Sequence, residues 1–477
     1  MLRPALAFVL AATAAASAPG DEQRMILRQA RLAVEGDSAA AVGARWSARL
    51  GSDSTDRATL LGLATLARFT NDDTTAARLY RRLLALSPSR ADEYAIYARL
   101  GLARISYEAV QMAEVDSLVS AALAGARALR DSVAEGDALQ ALGNARVDEQ
   151  KWVGLAYHDS ALRVIPSRES DLIATVRCRR ALIMFFMGDA RTQRDLASAL
   201  EYARRVRSPR GESQCLRAAG RDLWGRGLED SAIVTLRRAT DLLRQVRDRR
   251  NLAYVLTTLA DVMRDRGAYR AAKDALRESV EQARASAYPQ GEALATHMLG
   301  TLYYSLRDLP TSARLFDRAF AIYDTQHDTL DQMNVRSWQA NIARDRGDLV
   351  TARRLTRQAL ELHQRTGSVV GAIELHHSLA DIEILAGNWT AAAAALDSSE
   401  HLLRIHGIDT WRPKLVYQRG RLALHRGDLD EAEREFRRYL HALGLVEVTA
   451  VESEPAALVD QFRPPGCLLY TSPSPRD

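Results

Sequence analysis

The sequence predicts an all-α fold, a right-handed superhelical solenoid of antiparallel helix hairpins with a period of about 40 residues. Glycine in fixed phase is the first observation behind this. Gly227, Gly267, Gly347, Gly387 and Gly427 stand 40, 80, 40 and 40 residues apart, and the skipped step falls on Arg307. The second is a pair of small residues around each of these turns. Gly220, Ala260, Gly300, Ala340, Ala380 and Gly420 precede them, and Ala232, Ala272, Ser312, Ala352, Ala392 and Ala432 follow. Helices approach closely only where both lack bulk, so each pair marks the crossing of a first helix, A, over a second, B. Composition is the third: aromatics make up only 6% of the chain and alanine is abundant, which favours packed helices over strands.

The elements follow in chain order. Residues 1–18 carry one cation, Arg3, then an apolar run from Ala5 to Ala16 and a small-residue exit, Ala16-Ser17-Ala18. That is the pattern of a secretory signal peptide. Pro19 disfavours a cut directly before it, which leaves open a cut after Ala16 or retention as an anchor. No later stretch is long and apolar enough to cross a bilayer, so an exported protein, periplasmic or extracellular, is expected.

Residues 24–212 read as degenerate hairpins of the same kind, the first of them a partial hairpin over 24–50. Further units are marked by Leu63-Ala64 with Ala76, Tyr80 and Pro88, by Leu100-Gly101, by Leu142-Gly143 with Ala161-Leu162, and by Gly188-Asp189. Residues 213–445 hold six phased units. In these the glycine ends helix A in the left-handed conformation, and Leu236, Leu276, Phe316, Leu396 and Phe436 fill the core from helix B. About ten units are expected in all. Residues 446–466 start a further unit at Pro455, and Cys467 to Asp477 resemble a translated sequencing adapter, so that the natural chain is expected to continue past Gly466.

The phased pattern resembles the tetratricopeptide repeat, in the long-period, MalT-like form found in bacterial regulatory and sensor proteins. The usual period is about 34 residues; the six extra residues here lengthen either the helices or the links. The resemblance implies that helix A lines a concave wall at the second, fifth, ninth and twelfth repeat positions. These positions are Gln214, Arg217, Arg221 and Trp224, then Tyr254, Thr257, Asp261 and Arg264, then His297, Thr301 and Tyr304. The later units supply Asn334, Ser337, Asn341 and Arg344, then Glu374, His377 and Asp381, and last Lys414, Tyr417, Arg421 and Leu424. A wall so polar, aromatic and mixed in charge suits a peptide better than an apolar small molecule. Only Asn341 and Arg344 echo the dicarboxylate clamp of chaperone-binding members, so that specificity is not carried over. Asn334 and Asn341 are candidates to hold a peptide backbone, and Trp224 is the aromatic to test; most of the other tryptophans (Trp152, Trp338, Trp389, Trp411) read as core.

The remaining chemistry is sparse. The net charge of +5 is small for 477 residues and its basic residues are scattered, which argues against nucleic acid. All but Lys151, Lys273 and Lys414 of the 65 basic residues are arginine, which reads as the codon usage of a GC-rich genome. Cys178 and Cys215 lie about one repeat apart and are expected to be buried free thiols, although export would permit a disulfide. Glu374, His377 and Asp381 share one helical face, but no second histidine or cysteine completes a metal set, and no metal or cofactor is expected. No nucleophile elbow, phosphate loop or zinc-binding helix motif occurs, and the chain is not read as an enzyme. A scaffold that binds a protein or peptide is therefore expected. The alternative is the regulatory array of a larger protein, such as a CHAT-type peptidase or a signalling sensor.

Overall fold

The computed structural model describes residues 18–442, apart from 88, 90, 110, 147–150, 188, 190, 367–368 and 409–410. The leader up to residue 17, the Pro88 and Gly188 markers, residues 446–466 and the adapter-like segment 467–477 lie outside the described residues. Among those described are 22 helices and no strand. They fall into two compact units, residues 1–302 and 303–477.

Unit 1 contains α1 (Asp21–Glu35), α2 (Ala39–Ser52), α3 (Arg57–Phe69), α4 (Asp73–Ala85), α5 (Glu93–Glu108), α6 (Met112–Leu129) and α7 (Ser132–Ala145). It continues through α8 (Lys151–Val164), α9 (Ser170–Phe186), α10 (Thr192–Arg205), α11 (Pro209–Gly225), α12 (Glu229–Gln245), α13 (Arg249–Asp265) and α14 (Tyr269–Ala285). The division falls in the last turn of α15 (Pro289–Ser305). Unit 2 adds α16 (Leu309–Thr325), α17 (Thr329–Asp345), α18 (Leu349–Thr366), α19 (Val369–Leu385), α20 (Trp389–His406), α21 (Arg412–Arg426) and α22 (Leu429–Ala442). Within each unit successive helices pair as hairpins, such as α3 with α4, α13 with α14 and α17 with α18, and each hairpin stacks on the next. The N-terminal hairpin differs, because α1 packs mainly on α3 rather than on α2.

The forty-residue period has a simple origin. Helices α11, α12, α13 and α14 are each 17 residues long, with three-residue links between them. The six residues beyond the usual repeat have thus gone into the helices. At the end of α13, Gly267 takes φ 80°, its N–H donates to Arg264 O at 2.9 Å, and the Ala268 N–H donates to Met263 O at 2.8 Å. This is a glycine-closed helix end that satisfies two otherwise orphaned carbonyls. Arg307, where the phase skips glycine, adopts the same conformation at φ 62°. The aspartate that follows the turn caps the next helix: Asp308 accepts from the Thr311 N–H and Asp348 from the Thr351 N–H.

Small residues sit where helices A and B cross. A Cβ added to Gly220 would lie 2.6 Å from Leu236 Cγ, and one added to Gly420 would lie 2.8 Å from Phe436 Cδ1. Leu236, Phe316 and Phe436 are fully buried.

Two expectations are corrected. Cys178 and Cys215 are not free thiols: they form a disulfide that joins α9 to α11, two packed helices, with their Cα atoms 4.7 Å apart. Trp152 is not core: it is 68% exposed on α8. Trp338, by contrast, stacks on Phe316, with ring centroids 5.8 Å apart.

Candidate functional site

Helix A side chains chosen from the phase meet their counterparts about one repeat further along. In unit 1, the Arg217 guanidinium lies over the Tyr254 ring at 4.5 Å. Trp224 Nε1 donates to Asp265 at 3.1 Å, and Arg264 Nη1 donates to Thr301 Oγ1 at 3.4 Å. Arg264 also pairs with Asp261 at 2.9 Å. In unit 2, the Tyr304 hydroxyl donates to Asp345 at 2.7 Å, Arg344 pairs with the same carboxylate at 2.9 Å, and Arg421 pairs with Asp381. Tyr417 packs with tilted rings on Tyr439 and Phe436 of the paired helix α22. The repeat length sets the contacts between A helices, because equivalent positions on successive A helices are neighbours.

Several of the selected residues are deeper than a ligand-facing wall requires. Arg217, Thr257, His297 and Thr301 are buried, and His377, at 1% exposure, shares a hydrogen bond with Ser399 Oγ at 2.9 Å. Burial holds Arg217 down to about 10 and His297 down to about 4. Burial, with Lys414 nearby, likewise takes His377 down to about 4. Asp261 is pushed up to about 6 by burial despite Arg264, and Tyr304 up to about 12 by burial and its bond to Asp345. Asn334 is exposed and donates to Asp331, whereas Arg221 and Asn341 are half-buried. Glu374, His377 and Asp381 do not converge: the first is exposed, the second faces Ser399 and the third holds Arg421.

A large recess lies elsewhere, inside unit 1, and the phase did not point to it. It is a cavity of about 1270 Å³ whose lining comes from α1, α3, α5, α7, α9 and α11, from Val115 of α6 and from the start of α13. Of the phased wall residues only Gln214 lines it. Ion pairs between helices distant in sequence close its rim. Arg31 of α1 pairs with Asp171 of α9 at 2.5 Å, Glu35 of α1 pairs with Arg210 of α11, and Arg250 of α13 pairs with Asp73 at 2.5 Å and with Glu108. Arg24 reaches Asp131 at 3.0 Å and the Tyr97 hydroxyl at 2.9 Å.

Twelve arginines and seven carboxylates line the cavity. Each carboxylate has an arginine partner. Asp21 and Glu169 are held by Arg24, Glu35 and Asp248 by Arg210, Asp137 by Arg104, Asp171 by Arg31 and Glu108 by Arg250. Phe69 stands between two guanidiniums, Arg68 at 4.9 Å and Arg210 at 5.9 Å. No histidine or cysteine lines the cavity among the described residues. Its chemistry is that of oxyanion recognition, planar guanidiniums beside an aromatic face.

No protein-family model and no curated protein matches the chain. Among solved structures, it resembles a Rap protein complexed with competence and sporulation factor, with a TM-score of 0.53 at 12% identity, covering 73% of this chain and 99% of that one. A signal transduction ATPase with numerous domains that carries a tetratricopeptide repeat sensor, from Pyrococcus horikoshii, gives a TM-score of 0.49 at 11% identity. That match covers 71% of this chain and 55% of the archaeal one, so the chain spans about half the length of that protein. With the hairpin stacking within each unit and the forty-residue phase, the likeness to the Rap protein places the fold: the chain is an all-α, tetratricopeptide-like repeat array.

Proposed function

We propose that the chain is a non-catalytic scaffold that captures a protein or peptide partner on the helix A side of its repeats, with the cavity of unit 1 as the principal seat. The observation that carries this reading is the cavity itself. At about 1270 Å³ it exceeds the roughly 300–1,000 Å³ of pockets that enclose drug-sized ligands, and eight helices contribute to its wall. A segment of polypeptide suits that volume, and the polar lining suits main-chain and side-chain hydrogen bonds. The Rap protein was solved with a factor bound, which agrees with such a use of the fold. Catalysis finds little support in a wall whose carboxylates are all engaged by arginine.

Export belongs to the same proposal. A buried disulfide between Cys178 and Cys215 suits an oxidising compartment, and the leader-like N-terminus suits secretion.

Selection of a random peptide library on the immobilised chain tests the reading. Recovered peptides are expected to share a consensus and to lose at least tenfold in affinity when Ala141→Trp fills the cavity, with circular dichroism unchanged. Peptides that bind the filled variant equally well would remove the cavity from the proposal, and a library that yields no binder would remove the scaffold reading.

A further inference from the structure

Resting on the scaffold reading, we propose that the cavity of unit 1 selects a short acidic peptide segment, whose carboxylates pair with Arg68, Arg28 and Arg179. Charge accounting within the wall carries it. The twelve lining arginines outnumber the seven lining carboxylates, and every one of those carboxylates already has an arginine. Arg28, Arg68 and Arg179 have no carboxylate within ion-pair distance among the described residues. Arg68 rests on the Phe69 ring, and Arg179 donates its Nε to Asn144 at 3.0 Å.

Arg68 is the sharpest case. Its neighbours Arg104 and Arg250 add positive charge, and their carboxylates are spent on them: Asp137 receives Arg104 at 2.5 Å, while Asp73 and Glu108 receive Arg250. Burial, with repulsion from Arg104, lowers Arg68 to about 10. A desolvated cation without a counter-ion destabilises the free protein, and a bound anion removes that penalty. The three guanidiniums are carried by three different helices of the lining, α3, α1 and α9. A chain with several carboxylates can offer each its own partner, and the cavity volume leaves room for its backbone.

The test is fluorescence anisotropy on the full chain at about 50 mM salt. The probes are a labelled octapeptide of alternating glutamate and serine, its glutamine counterpart, and inorganic phosphate and citrate as competitors. The glutamate peptide is expected to bind at least tenfold more tightly than the glutamine one. Arg68→Met is expected to weaken it at least tenfold while leaving the thermal midpoint unchanged or higher, because it deletes a half-buried charge that has no ion-paired carboxylate. Arg179→Met provides a second reading should the first variant fail to fold. Equal binding of the two peptides would overturn the acidic preference while leaving the scaffold intact, whereas an empty result here together with an empty library would remove both. Displacement by phosphate or citrate at the peptide's own concentration would assign the cavity to small oxyanions instead. A lowered midpoint with unchanged affinity would make Arg68 a purely structural residue.

Discussion

Gly267 and Ala287 adopt the left-handed backbone at φ 80° and φ 45°, and nothing lies within 4 Å of a Cβ built on Gly267. Substitution at these two sites therefore isolates conformational strain, which costs an L-residue roughly 1–2 kcal/mol in this region. Gly267→Ala should lower stability by about 1 kcal/mol and Ala287→Gly should raise it by a similar amount, both read by chemical denaturation. Shifts of the same sign would show that side-chain contacts, not φ, govern these turns. His377 makes a second prediction at this scale. Its folded pKa, near 4, lies below the ordinary 6.5, so the stability it contributes is complete above about 6.5 and is lost as pH falls through 4. For this buried ring that loss amounts to roughly 3 kcal/mol at pH 4. His377→Gln should accordingly flatten the decline of unfolding free energy between pH 6.5 and 4; a variant with the wild-type slope would assign that decline to His158 and His297, which are depressed in the same direction.

At the scale of the hairpin, side-chain volume where A crosses B sets how closely the helices pack. Gly220→Ala would push a methyl against Leu236 and Gly420→Ala another against the Phe436 ring, each a fully buried side chain. Overpacking of this kind costs typically 1–3 kcal/mol. Both variants should unfold at lower denaturant, and pairing Gly220→Ala with Leu236→Val should recover part of the loss; additive effects of the pair would separate Gly220 from Leu236. These crossings were readable in the sequence because small residues in constant phase have few other uses. So was the turn at Gly267, since glycine advertises a left-handed helix end. Four of the turns that close a B helix recur with the same period but were silent, because Arg207, Arg247, Ala287 and His327 carry them, although α20 is closed by Gly407. The disulfide was unreadable for a different reason. Cys178 and Cys215 stand 37 residues apart, and whether their side chains meet depends on how α9 lies on α11. Among the wall residues, phase located Arg217 and His377 on helix A, but their depth is set by other helices, with Tyr254 of the next hairpin against Arg217 and Ser399 of the paired helix α20 against His377.

At the largest scale, unit 1 is held by contacts that no local pattern announces. Arg250 meets Asp73 across 177 positions, and Glu35 meets Arg210 across 175. Such pairs follow from how the hairpins wind, and winding accumulates from small rotations that the sequence does not display one by one. The consequence is a division of labour in α1. Its apolar side, with Ile26, Ala30 and Ala33, is buried, whereas its charged side reaches α9 and α11 through half-exposed ion pairs. Hydrophobic burial is nearly indifferent to salt, but partly exposed pairs are screened once the Debye length falls from about 10 Å at 0.1 M to about 3 Å at 1 M. Amide exchange in α1 should therefore accelerate between 0.1 and 1 M sodium chloride, while exchange in α13 and α14 stays constant. Arg31→Glu should produce the same acceleration at low salt, and adding Asp171→Arg should reverse it, with a coupling below about 1 kcal/mol for so exposed a pair. If α1 keeps its protection at 1 M salt and in Arg31→Glu alike, its apolar side alone fixes the helix, and the ion pairs at the cavity rim do no more than discharge the wall.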